Sequence, residues 1–139
     1  MKLPKKTVPQ HVHAAGVIVR DGKVLLARRP SEGLLGGMWE FPNGRVTGDP
    51  FEGLAQALKT GYNLRLRTRR SSVQDPEPLA VVHHGYTHFK VTVHAYRCEL
   101  AGEPDGENLK WIRMEDMAEY PMGRIDRQIA EQLLTMRNT

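Results

Sequence analysis

The sequence predicts an α+β domain in which a β-sheet is packed between two helices. Short apolar runs separated by turn residues are typical of strands. Two segments, one in mid-chain and one at the C-terminal end, repeat apolar residues at helical spacing. A length of 139 residues, 40% of them hydrophobic, is sufficient for one folded domain. No run of about 18 apolar residues is present, so neither a transmembrane helix nor a membrane partner is expected.

Apolar or alternating runs bounded by glycine, proline or aspartate predict the strands. These strands span residues 14–20, 24–29, 38–42, 64–67, 79–83, 90–98 and 110–113. An Asp21-Gly22 turn joins the first two strands into a hairpin. A turn at residues 42–44 closes the third strand.

Two amphipathic stripes predict the helices. Residues 50–60 carry the first stripe, with Pro50 suited to the first turn and Asn63 close behind the end. Ile125, Ile129 and Leu133 form the stripe of a C-terminal helix. Residues 1–11, which precede the strands, are basic and show no periodic pattern of apolar residues. They are therefore predicted to be a linker or tail, and residues 12–139 the domain.

Charge and cysteine content limit the function classes. Residues 1–70 carry 13 Lys and Arg against 5 Asp and Glu, a net +8, whereas residues 71–139 carry 7 against 11, a net −4. A basic half suits a polyanionic partner such as DNA or a nucleotide, although a solvated surface is the simpler explanation of charge alone. The single cysteine, Cys98, excludes an internal disulfide and a cysteine-based metal cluster. It favours a reducing compartment, the cytoplasm.

One stretch goes beyond general patterning. Residues 26–30 are Leu-Ala-Arg-Arg-Pro, and residues 33–46 are Gly-Leu-Leu-Gly-Gly-Met-Trp-Glu-Phe-Pro-Asn-Gly-Arg-Val. This stretch resembles the beginning of the Nudix box, and the order of elements resembles the Nudix fold, an α/β/α sandwich with a mixed sheet, a central helix and a C-terminal helix. In active members of that family, acidic residues on the central helix hold Mg²⁺ against a diphosphate.

The central helix of this chain departs from that pattern. Gln56, Ala57, Thr60 and Gly61 stand where the family has Arg, Glu, Glu and Glu. No Asp or Glu occurs anywhere from residue 53 to residue 74. The resemblance therefore implies the Nudix fold without its metal chemistry. No catalytic residue, metal ligand or cofactor is predicted for this chain, and Mg²⁺ is expected only if the hydrolase alternative given below holds.

Within the Nudix superfamily, the chain resembles the C-terminal domain of bacterial MutY-type adenine DNA glycosylases. The resemblance rests on residues 5–9, 33–42, 86–89 and 120–121, taken in order. It implies a domain that recognises 8-oxoguanine opposite adenine in base excision repair. Thr87 would contact the base edge, with Tyr86 and His88 beside it. The implied partners are duplex DNA containing 8-oxoguanine and the N-terminal glycosylase domain of a longer parent chain.

The chemistry of these residues agrees with that role. A hydroxyl such as that of Thr87 can accept a hydrogen bond from the N7–H of 8-oxoguanine, where guanine offers only an acceptor. Candidate phosphate contacts, which position DNA without specifying its sequence, are Arg28, Arg29, Arg45 and Lys90. Residues 86–88 can equally be a hairpin turn with a polar tip.

Two other functions stay open. The first is a MutT-like Nudix pyrophosphohydrolase of oxidised or other nucleotides, with Asp49, Glu52 and Glu40 as an atypical metal site. Arg124 weakens this alternative, because it stands where related enzymes that recognise 8-oxoguanine nucleotides have an asparagine. The second is a regulatory module that binds a nucleotide or protein without turnover. Six histidines also permit a metal site, and the basic run 64–70 permits either a DNA contact or a charged sheet edge.

Overall fold

A computed structural model describes residues 8–33, 35–67 and 77–137. Its elements are β1 (Gln10–Arg20), β2 (Lys23–Arg28), β3 (Trp39–Glu40), β4 (Asn43–Arg45), α1 (Pro50–Tyr62), β5 (Ala80–Gly85), β6 (Lys90–Cys98), β7 (Leu109–Arg113), a 3-10 helix (Met114–Glu119) and α2 (Arg124–Arg137). Within the described ranges, no helix has the length and apolar character that crossing a membrane requires.

The strands form one mixed sheet in the order β3-β2-β1-β6-β5, and β4 and β7 are added beside β1 and β2. β1 runs parallel to β6 over nine residue pairs, from Gln10 opposite Lys90 to Ile18 opposite Cys98. The hairpins β1–β2 and β5–β6 are antiparallel. This arrangement confirms the predicted mixed sheet.

Each helix covers one face of the sheet. Leu54 of α1 is buried in a cluster with Ala14 of β1, and Ile129 of α2 is buried in a second cluster with Ala15 of the same strand. Neighbouring residues of a strand point to opposite faces, so Ala14 packs in the layer of α1 and Ala15 packs in the layer of α2. The predicted helix–sheet–helix sandwich is therefore confirmed.

The ends of α1 are defined by capping. The Asp49 side chain accepts a hydrogen bond from the Phe51 N–H at 2.9 Å, and Pro50 occupies the first turn. At the other end, Asn63 takes the left-handed conformation, with φ 56°, and its N–H reaches the last carbonyls of the helix. In the family pattern this position is a glycine, and asparagine is among the few other residues that tolerate this conformation.

Three predicted segments differ from the structure. β1 begins at Gln10, so the sheet includes two residues that were predicted to be linker. Gln10 is exposed and His11 is partly buried, and both pair with β6 through the backbone, which requires no apolar pattern in the sequence. Residues 43–45, predicted to begin in a turn, form β4 against β1, because the chain changes strand partner at Pro42. The predicted strand 64–67 is reduced to an isolated bridge from Leu66 to Leu100. The basic residues 68–70 lie outside the described part of the chain.

Candidate functional site

A cavity of about 210 Å³, called here the sheet–α2 cavity, lies between β1, β4, the β5–β6 hairpin and the beginning of α2. Its lining combines an aromatic wall with polar groups from distant parts of the chain. The lining residues used below are His13, Arg29, Glu40, Asn43, Tyr86, Phe89, Arg124 and Asp126. The cavity can therefore offer a flat apolar surface and hydrogen-bonding groups to the same ligand.

The aromatic wall belongs to the β5–β6 hairpin. The rings of Tyr86 and Phe89 stack, with centroids 4.7 Å apart and planes inclined by 27°. The Tyr86 N–H also donates to the Phe89 carbonyl at 2.7 Å, which closes the turn. Thr87 and His88 form the exposed tip of this turn. The structure thus separates the predicted trio: Tyr86 faces the cavity, whereas Thr87 and His88 are presented to the outside.

A network centred on Asn43 supports the polar side of the cavity. The Asn43 Nδ2 donates to Glu40 Oε1 at 3.0 Å and to the Phe41 carbonyl at 2.9 Å. Its Oδ1 lies 3.1 Å from His13 Nδ1. Glu40, only 9% exposed, also forms an ion pair with Arg29 at 3.2 Å. The buried carboxylate therefore has the hydrogen-bonding and charged partners that burial requires.

Asp126, in the first turn of α2, completes the polar lining. Its Oδ1 accepts a hydrogen bond from the Phe41 N–H at 3.0 Å. Burial raises the pKa of Asp126 to about 7, and the nearby Glu40 carboxylate adds to the rise. Near neutral pH both forms are therefore present. The protonated form can donate a hydrogen bond into the cavity, and the ionised form can only accept one.

Burial also acts on the histidine of the network. It lowers the pKa of His13 below its ordinary value, although the hydrogen bond with Asn43 acts in the opposite direction. Burial therefore favours the neutral imidazole, which can donate from one nitrogen and accept at the other.

The predicted phosphate contacts are dispersed. Arg29 lines the sheet–α2 cavity but is held in its ion pair with the buried carboxylate. Arg28 is exposed and donates to a carbonyl of the 30–37 loop at 3.3 Å. Arg45 lines a different cavity, described next. Lys90 is exposed at the beginning of β6, close in sequence to the hairpin tip. Their contact with DNA stays a prediction.

A second and more open cavity, called here the β4–α1 cavity, has a volume of about 450 Å³. It includes the four positions at which the Nudix pattern has Arg and three Glu, here Gln56, Ala57, Thr60 and Gly61. Among the described residues, the lining contains no carboxylate, and its charged residue is Arg45. Mg²⁺ prefers oxygen ligands that include one or two carboxylates. The residues present therefore do not fit the ion that the family pattern implies.

The atypical metal site of the hydrolase alternative is not formed either. Asp49 is used as the cap of α1, Glu52 is exposed in the first turn, and Glu40 belongs to the sheet–α2 cavity. Among the residues that the structure describes, no group of three or more His, Cys, Asp and Glu side chains is placed to hold a metal ion. Helix capping and burial use these carboxyl groups separately, so the structure does not bring the three together.

Sequence analysis missed several residues that the cavity uses. His13, Asn43 and Asp126 come from three different elements. Asp126 has the appearance of an ordinary acidic residue in the first turn of a helix, which stabilises the helix dipole. The Tyr62 hydroxyl donates to Glu40 at 3.4 Å. In the sequence, Tyr62 is recognisable only as a residue near the end of a predicted helix. No local sequence signal distinguishes these residues from residues of the same type that have only a structural role.

Comparisons with known proteins give the family context. The NUDIX domain family matches residues 14–132. The chain is 29% identical over 132 residues to CTP pyrophosphohydrolase of Escherichia coli K12, covering 88% of this chain and 90% of that protein. It is 30% identical over 125 residues to adenine DNA glycosylase of Homo sapiens, covering 83% of this chain but 22% of the glycosylase. The solution structure of the E. coli ORF135 protein matches with a TM-score of 0.77 and 24% identity, covering 96% of this chain and 95% of that one.

Proposed function

The chain belongs to the NUDIX domain family, and we propose that it is a non-catalytic recognition domain that binds 8-oxoguanine opposite adenine in duplex DNA. The observation that carries this proposal is an exposed hydroxyl, that of Thr87, at the tip of a well-held hairpin, in a domain whose α1 lacks every acidic residue of the Nudix box. The hairpin supplies base recognition, and the altered helix removes hydrolysis.

The geometry of the hairpin suits a base inside a duplex. The stacked pair of Tyr86 and Phe89 packs partly buried against the core, which anchors the turn. Thr87 lies at the tip of this anchored turn. It can approach a groove of the DNA duplex without the target nucleotide leaving the duplex to enter a cavity. Its hydroxyl would accept from the N7–H of the oxidised base, which guanine lacks. Lys90, exposed at the beginning of the next strand, is placed to neutralise a phosphate nearby.

The partner of this domain would be a glycosylase domain on the same parent chain. The similarity to human adenine DNA glycosylase covers 22% of that protein, which is the share expected of one domain within a larger enzyme. In this arrangement the glycosylase domain would remove adenine, and the NUDIX domain would recognise the base opposite that adenine.

The test compares two duplexes that differ only in the base opposite adenine, 8-oxoguanine or guanine, by fluorescence anisotropy at low and moderate salt. A base-edge contact is worth about 1–3 kcal/mol, so we expect the oxidised duplex to bind roughly 5- to 150-fold more tightly. Thr87→Ala should abolish this preference, and Thr87→Ser should keep it.

The matched control is Thr92→Ala, which removes a hydroxyl that bonds His83 on the neighbouring strand at 2.9 Å. This variant should discriminate as the native chain does. Equal, salt-sensitive binding of both duplexes would reduce the interaction to phosphate electrostatics and overturn the proposal.

A second function is favoured by a different observation. The similarity to CTP pyrophosphohydrolase covers 90% of that protein, so the match is to a whole enzyme and not to one domain of it. As a pyrophosphohydrolase, the chain would place a nucleobase against Tyr86 in the sheet–α2 cavity. Mg²⁺-dependent release of pyrophosphate from CTP or 8-oxo-dGTP separates the two functions. We expect none, because no carboxylate is found among the described residues that line the β4–α1 cavity.

A further inference from the structure

We infer that the β4–α1 cavity binds a phosphate group directly, without a metal ion. This inference does not depend on recognition of 8-oxoguanine. It follows from the disagreement between the Mg²⁺ that the family pattern implies and the side chains that line this cavity.

The charge of the cavity is the reverse of that of a metal site. Arg45 of β4 is exposed and is the charged residue of the lining, which includes no Asp or Glu within the part of the chain that the structure describes. A guanidinium repels a divalent cation, whereas its planar array of N–H donors matches the oxygens of a phosphate. The attraction that a family member achieves through a bridging metal ion is thus available here from the side chain itself.

Neutral donors on α1 face the same space. Gln56 and Thr60 are one helical turn apart, and Gln56 Nε2 donates to Thr60 Oγ1 at 3.0 Å. Because Thr60 accepts this bond, its own hydroxyl hydrogen is available to a ligand, as is the second Nε2 hydrogen of Gln56. Arg45, Gln56 and Thr60 together offer charged and neutral donors to one anion.

One of the three glycines that line the cavity is an argument for a ligand. A Cβ on Gly44 would lie 2.8 Å from Ala57 Cβ, and a Cβ on Gly53 would lie 2.8 Å from Val46 Cγ1, so close packing of β4 on α1 explains both. A Cβ on Gly61 would meet no atom of the described residues within 4 Å. A glycine inside a helix costs about 1 kcal/mol relative to alanine. Packing does not explain Gly61, whereas a ligand close to the helix backbone does.

Asn43 connects this cavity with the first one, because it lines both. A base in the sheet–α2 cavity and a phosphate in the β4–α1 cavity would therefore be neighbours. The phosphate can come from a free nucleotide or from the DNA backbone, and both share the chemistry that Arg45 would recognise.

Pyrophosphate is the probe, titrated into the ¹⁵N-labelled chain in EDTA and again with Mg²⁺. We expect shifts of the Arg45, Gln56 and Gly61 amides in EDTA, and no tightening with Mg²⁺. Arg45→Gln should weaken binding by about tenfold or more, since a charge-assisted contact is lost. Arg97→Gln, which removes an exposed charge on β6 outside the cavity lining, should have no effect.

A second pair of variants tests the cavity without removing a contact. Gly61→Glu restores a carboxylate at a position where a side chain has open space, and Gly61→Gln has the same size without the charge. Both side chains fill the space beside the helix backbone and should weaken binding in EDTA, but Gly61→Glu should bind at least tenfold more weakly than Gly61→Gln, because only the glutamate adds a negative charge. Binding that requires Mg²⁺, or that weakens equally in Arg45→Gln and Arg97→Gln, overturns the inference.

Competition identifies the source of the phosphate. Displacement of pyrophosphate by a nucleoside diphosphate indicates a free nucleotide, and displacement by an undamaged duplex indicates a backbone phosphate. Failure of both to compete overturns the site. Because neither arm contains 8-oxoguanine, the phosphate site and the lesion preference can fail separately.

Discussion

Asp126 and Phe41, 85 residues apart in sequence, are joined by a 3.0 Å hydrogen bond from the Phe41 backbone N–H to the Asp126 carboxylate. The bond connects the first turn of α2 to the segment between β3 and β4. It also places an acidic side chain inside the sheet–α2 cavity, beside the Glu40 that is already buried there. One contact therefore contributes both to the packing of α2 and to the chemistry of the cavity.

The first prediction concerns pH and stability. Because the pKa of Asp126 is raised to about 7 in the folded chain, the folded state binds its proton more tightly than the unfolded state. The resulting stabilisation is complete below about pH 4 and is lost as pH rises through 7, by on the order of 4 kcal/mol. Asp126→Asn retains an oxygen for the Phe41 N–H but cannot ionise. As pH rises from 4 to 8, the free energy of unfolding of this variant should therefore increase relative to that of the native chain.

Urea unfolding at a series of pH values measures this difference. Glu131→Gln, at an exposed position on the same helix, is the control and should follow the native pH profile. Parallel profiles for Asp126→Asn and the native chain would show that Asp126 does not titrate in this range.

The second prediction contrasts two glycines of α1. Gly61→Ala should stabilise the chain by roughly 0.5–1 kcal/mol, because alanine favours the helix and its Cβ enters open space. Gly53→Ala should destabilise it despite the same gain in helix propensity, because the new Cβ lies 2.8 Å from Val46 Cγ1 and 2.9 Å from its Cβ. Thermal unfolding of the two variants side by side gives the comparison. Shifts of the same sign would contradict the β4–α1 packing described.

The third prediction concerns the Asn43 network. Asn43→Ala removes two donated bonds and the Asn43 oxygen that interacts with His13. The free energy of unfolding should fall by about 1–3 kcal/mol, because Glu40 stays buried with fewer partners. The pKa of His13, already lowered by burial, should fall further, since the bond with Asn43 is what raises it.

Proton NMR titration of the histidine rings follows this change directly. Thr92→Ala serves as the control because it alters the partner of His83 on the other face of the sheet. An unchanged His13 titration in Asn43→Ala would contradict the hydrogen bond between the two side chains.

The fourth prediction concerns the hairpin wall. Tyr86→Ala removes the ring that stacks on Phe89 and should destabilise the chain by roughly 2–3 kcal/mol, whereas Tyr86→Phe keeps the stack and should cost less than 1 kcal/mol. If the stack also holds Thr87 in place, the preference for the oxidised duplex should fall in Tyr86→Ala and persist in Tyr86→Phe. A preference that persists in Tyr86→Ala would show that the tip is positioned by other contacts.

The predictions that held were those with a local signal. The Asp21-Gly22 hairpin, the stripe of α2 and the end of α1 near Asn63 each depend on residues within a few positions of one another. β4 was missed because its pairing with His13, Ala14 and Ala15 is a contact between segments about thirty residues apart, and the Pro-Asn-Gly sequence at that point has the local chemistry of a turn.

The sequence by itself determined the fold class, the two helices and the lack of any acidic residue from position 53 to position 74, a property of composition that no folding can change. Only the tertiary structure decided that Tyr86 turns inward while Thr87 and His88 stay outside, and that His13, Asn43 and Asp126 share one cavity. The shared cavity depends on hydrogen bonds between residues 30 and 85 positions apart, His13 with Asn43 and Phe41 with Asp126. Helical and strand periodicity extends over a few residues and carries no information about such contacts.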